Sequence, residues 1–117
     1  MLTSHHEELL KIEKATSGLF KGKARKHISN ELKHCKAKLS AISMLPEPQR
    51  AKEYLALLNA YTNGRNDQLA MGANSFAHAG WAAMAACEGW LQLIALDYSA
   101  DEIAEYEKIA SRLISRG

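Results

Sequence analysis

Valine is absent from this 117-residue chain, and the other β-branched residues are few, with seven isoleucines and three threonines. Strands use such residues to fill a pleated, half-buried surface, so barrels, sandwiches and doubly wound sheets have little to be built from. Proline occurs only at Pro46 and Pro48, which leaves long stretches free of the strongest helix breaker. The two cysteines, Cys35 and Cys87, are too few and too separated for a disulfide framework. Both fall in apolar helical patterns and read as buried free thiols, which suits a reducing cytoplasm. A long apolar run is missing as well. Residues 79–96 come nearest, but they are rich in alanine and interrupted by Glu88 and Gln92, whereas a bilayer span needs about 20 strongly apolar residues. No membrane partner is expected. Glu7 and Glu8 stand where a signal peptide would turn apolar.

Alanine and leucine take the place of the missing residues, with 19 and 15 copies, and both are strong helix formers. With 47% apolar and 24% charged residues, the composition is that of an ordinary globular protein. The expectation is an all-α single domain over residues 1–117, a bundle of about five helices. The first has Leu2, Leu9, Ile12 and Thr16 at helical spacing, Thr3 or Ser4 as cap, and an end near Gly18. The second carries Phe20, Ala24, Ile28, Leu32, Cys35, Leu39 and Ile42 on one stripe and stops before Pro46. A third is expected from about Glu47 to Thr62, with Ala51, Tyr54, Leu55, Leu58 and Tyr61 inward. Asn63-Gly64 reads as its left-handed cap, followed by a short turn capped by Asn66 or Asp67 and ending at Met71. The fourth runs from Ser75 to about Leu96. Ser99-Ala-Asp-Glu102 is a capping box, and Ile103, Tyr106, Ala110, Leu113 and Ile114 make one face of the fifth.

Charge is unevenly distributed. Residues 21–38 hold seven basic residues against Glu31 alone, so the rest of a chain with total charge +2 carries −4. Lys23, Lys26 and Lys33 project opposite the Ile28–Leu32–Cys35 stripe, with Lys36 nearer its edge. These four lysines are candidates for weak nucleic-acid contact or for an acidic protein partner; otherwise they form a solvated helix face. No aromatic residue interleaves with them, and arginine, the usual base reader, appears once in the segment. His27, Glu31 and His34 share a helix side, and Glu31-Leu-Lys-His34 has the Glu-x-x-His spacing of carboxylate-bridged metal bundles. A second copy of that spacing is lacking, and lysines surround it. No metal site or cofactor is expected, and His5-His6 reads as a solvated pair.

The fourth helix departs most from an ordinary amphipathic pattern. Ala79, Ala82, Ala83, Ala86, Cys87 and Gly89 spread small residues around much of its circumference, which suits a central helix or a tight interface. His78, Trp81, Ala85, Glu88 and Gln92 share one narrow side. That stripe faces water, forms a closed polar network, or lines a ligand pocket. Ser75 and His78 lack an orienting acid, and Gly72-Ala-Asn-Ser75 lacks the spacing of a phosphate loop, so no catalytic residue is assigned. The expected function is a small helical binding protein without a catalytic site. Five helices have difficulty covering so apolar a fourth one, so a homodimer formed through it is expected. The alternative is a small-ligand binder or enzyme with a pocket at His78, Trp81, Glu88 and Gln92.

Overall fold

The computed structural model describes residues 3–73 and 75–116, and consists of α1 (Ser4–Ala15), α2 (Gly22–Ser43), α3 (Gln49–Ala70), α4 (Ala79–Ala95) and α5 (Ala100–Arg116). No strand occurs among the described residues. The domain is all-α, and none of its described helices is long and apolar enough to cross a membrane.

Local chemistry sets most helix ends. Thr3 caps α1 by accepting from the His6 amide at 3.3 Å, and His6 answers as the reciprocal partner of a capping box. His6 is not a solvated residue as expected. It is buried, with Nδ1 2.6 Å from the Thr3 hydroxyl and Nε2 donating to the Glu102 carbonyl at 2.7 Å. The ring thus ties the start of α1 to the start of α5. Ser99 caps α5 as the sequence indicates, accepting from the Glu102 amide at 3.2 Å.

The α1–α2 link departs from the periodic pattern. Phe20 does not join the α2 stripe, because helical geometry begins only at Gly22, and its ring is 97% exposed. Ile28, Leu32 and Cys35 do point inward, with Leu39 and Ile42 packed against the core.

Asn63-Gly64 does not end α3, and no separate turn follows at residues 66–71. One helix runs through to Ala70. Gly64 serves packing rather than turning: a Cβ there would stand 2.8 Å from Met84 Sδ of α4. The left-handed cap lies at Gly72, with φ of +85°. The Ala73 amide donates to Gln68 O at 2.8 Å and the Gly72 amide to Leu69 O at 2.9 Å, a Schellman pair. Leu55 also departs from its expected inward place and is 56% exposed, while Leu57 is buried.

Helix α4 begins at Ala79 rather than Ser75, with His78 Nδ1 accepting from the Trp81 amide at 3.4 Å. It is the central helix, touched by all four others. Ten of its residues are buried within this single chain, so the expectation that five helices cannot cover it fails. Small residues are the reason. A Cβ on Gly89 would lie 2.7 Å from the Tyr106 hydroxyl, and that hydroxyl donates to Ala86 O at 2.6 Å.

Helix directions follow from these contacts. Cys87 donates to Glu31 O, and Ile94 lines one cavity with Leu39 and Ile42, so α2 and α4 run the same way. Tyr54 donates to Leu91 O while Gln68 meets Gly80, so α3 is antiparallel to α4. Ser29 donates to Ile114 O at 3.0 Å while Lys36 and Ser40 line a cavity with Glu107, so α5 is antiparallel to α2. The molecule measures 45 × 31 × 23 Å, and the link through Pro46 and Pro48 closes one end of it.

Candidate functional site

The fourth-helix stripe is drawn into a polar network supplied by two other helices. Trp81 is buried, with the Arg65 guanidinium 4.8 Å from its ring centroid and Phe76 edge-on at 5.3 Å. Arg65 Nη1 donates to Glu88 Oε1 at 3.3 Å, and Nη2 to Glu8 Oε2 at 2.9 Å. The Glu88 side chain is only 13% exposed. One guanidinium therefore satisfies a carboxylate from α1 and another from α4 while lying on an indole, geometry that lysine cannot reproduce. His5 borders this cluster, and burial lowers its pKa; Glu8 and Glu88 raise it in opposition, while Arg65 and His6 lower it further. Trp81 and Glu88 are thus brought together around Arg65. His78 is exposed and occupied in capping α4, and Gln92 is partly buried one turn beyond Glu88.

Glu8 and Arg65 were not among the residues singled out from the sequence. The signal for Arg65 was present: Tyr54, Leu58, Tyr61 and Arg65 continue one helical stripe at i, i+4, i+7 and i+11. Reading a helix end at Gly64 hid it.

Cavities open along the C-terminal half of α2. One of about 700 Å³ lies between α2 and α3, with Ile42, Leu45 and Leu57 as its apolar floor and Ala41, Ala56 and Ala60 in its walls. Lys38 of α2 and Glu53 of α3 also line it. A second, of about 360 Å³, lies against Leu39, Ala51, Tyr54 and Ile94. A third, of about 310 Å³, meets Trp90, whose Nε1 is buried without a hydrogen-bond partner, together with Lys36, Ser40 and Glu107. Met44, 86% exposed, caps the same end of the bundle. The sequence reading did not single out this region, because alanines at helical spacing look alike on a covered and an uncovered face.

Lys23, Lys26, Lys33 and Lys36 are all exposed. His27 and His34 are exposed as well, and among the described residues no three His, Cys, Asp or Glu side chains gather to hold a metal. Cys35 and Cys87 are buried free thiols. Burial pushes the Cys87 thiol well up, with Cys35 and Glu31 adding to the effect, so it holds its proton and is a poor nucleophile. Burial likewise raises the Tyr54 hydroxyl to about 12. These groups are packing and hydrogen-bonding elements rather than acid–base ones. Compared with family models, curated proteins and solved structures, the chain finds no match.

Proposed function

We propose that this protein acts by binding rather than by catalysis, in a reducing cytoplasm, and that it forms a homodimer through the outer face of the α2–α3 pair. The observation that carries this reading is the open apolar cleft floored by Ile42, Leu45 and Leu57. Apolar surface gathered in one concave strip, rather than scattered, is what recognition surfaces offer. Because α4 is covered within one chain, we assign the interface to α2–α3 instead.

Three features suit a second copy as the occupant. Ala41, Ala56 and Ala60 allow a helix to approach closely. In a two-fold dimer residue i meets j and j meets i, so Lys38 of α2 and Glu53 of α3, which line one cleft with opposite charges, pair twice across the axis. Two 22-residue helices, each about 33 Å long and side by side, present roughly 600 Å², near the lower bound for a stable interface.

Static light scattering tests this at micromolar concentration. The expected mass is twice the 12.9 kDa of the chain. Ala56 is exposed, so Ala56→Arg leaves folding stability within about 0.5 kcal/mol and yields a monomer. A monomeric wild type overturns the reading.

A further inference from the structure

We propose that the end of the bundle where α1 passes into α2 docks on an anionic lipid surface without spanning it, a departure from the expectation that the protein has no membrane partner. Leu19 and Phe20 are consecutive and are 95% and 97% exposed. The link that carries them is held by its own hydrogen bonds. Thr16 is buried and donates to Ile12 O at 2.8 Å, and the Lys21 amide donates to Gly18 O at 3.2 Å. Arg25 Nη1 donates to Thr16 O at 3.0 Å and to Gly18 O at 3.1 Å. Two large apolar side chains are thus presented outward by a fixed backbone, with little ordering left to be done on docking.

The tip sits in a basic setting. Lys14, Lys23 and Lys26 around it are exposed, and Lys21 is partly exposed. Glu13, one turn before the link, is met by Arg112 in a two-pronged pair with both distances 2.9 Å, so its charge is balanced. Arg25 is committed to the link itself, so the cations facing outward are lysines.

The kind of partner follows from that division. A lysine ammonium is a hydrated point charge that needs no matched geometry, which suits a diffuse layer of anionic headgroups. A nucleic acid would favour arginine forks on phosphates and bases, and stacking on Phe20 would leave Leu19 in water. At a lipid surface both side chains enter the boundary between headgroups and acyl chains while the lysines stay with the phosphates. Each lysine near such a surface strengthens partitioning roughly fivefold. This surface is separate from the α2–α3 cleft, so the two readings stand or fall independently.

The test is co-sedimentation of the full chain with vesicles of phosphatidylcholine alone or with about one-third phosphatidylserine. The expected result is binding to the anionic vesicles, little to the neutral ones, and steep loss in 0.5 M salt (roughly three times the physiological level). Leu19→Ser with Phe20→Ser removes side chains that pack against nothing, so the melting curve stays put while partitioning falls at least about tenfold. Lys23→Glu with Lys26→Glu also abolishes it. Failure to sediment with anionic vesicles overturns the proposal, as does undiminished sedimentation of the serine variant. Tip-dependent binding of a single-stranded oligonucleotide or polyglutamate without vesicle binding also overturns it, in favour of a nucleic-acid or an acidic-protein surface respectively.

Discussion

Glycine at a helix contact and glycine at a helix start answer to different constraints, and the two are separable by alanine substitution. A Cβ at position 89 would press on the Tyr106 hydroxyl, which is buried and already bonded to Ala86 O. Gly89→Ala is expected to destabilise by about 1–3 kcal/mol through overpacking, read from urea denaturation. Nothing lies within 4 Å of a Cβ at Gly22, the first residue of α2, so Gly22→Ala is expected to stabilise by about 0.4–1 kcal/mol. Asp97 is the left-handed residue closing α4, with φ of 56°. Asp97→Gly removes the Cβ penalty there and is expected to gain about 0.5–1 kcal/mol. His5 adds a pH dependence. Its folded pKa is lowered from 6.5 mainly by burial, so as pH falls below that value the unfolded chain takes up the proton first. The stability His5 contributes is present above 6.5 and is lost as pH falls through the folded value. Melting temperature is expected to drop on that descent, and His5→Gln to flatten this part of the profile. An unchanged profile in the variant would contradict the assignment.

At the scale of the helix, composition and capping were the legible part. An alanine- and leucine-rich chain without valine has little alternative to an all-α fold, and Ser99 with Glu102 marks a start that the structure keeps. The departures from the sequence pattern share one cause: a tertiary partner overrides a local signal. Asn63-Gly64 has the chemistry of a helix end, but α4 comes close at Gly64 and helical geometry persists. Phe20 continues the α2 period, but the helix begins after it. On α4, the position of Trp81 and Glu88 on one stripe was readable, whereas the guanidinium uniting them comes from a helix segment read as loop. Arg65→Ala is expected to destabilise by about 1–3 kcal/mol, since Glu88 is left largely buried without its donor. A double-mutant cycle with Glu88→Ala should return a coupling of about 1 kcal/mol, and Trp81 emission should shift as its ring is uncovered. Additive losses with no spectral change would mean that the network does not act as a unit.

For the whole molecule, the two proposed contact surfaces lie at its opposite ends. Helix α4 and the helices around it form a closed core, with Tyr106, Leu91 and Leu93 fully enclosed. The α2–α3 pair extends that core toward Pro46 and leaves the cleft beside Ile42 and Leu57 open. At the other end Leu19 and Phe20 project among lysines. Both surfaces are proposed above as places of contact with something larger than a metabolite. The two-fold pairing of Lys38 with Glu53 is the sharpest consequence of this view, and native mass spectrometry of charge-swapped chains tests it most directly. Lys38→Glu places like charges at both contacts of a homodimer, and so does Glu53→Lys, so each variant alone is expected to be monomeric. Mixing the two restores opposite charges at both contacts, and the expected product is a mixed dimer with one copy of each. Dimers of either variant alone, or a mixture that stays monomeric, would contradict the account.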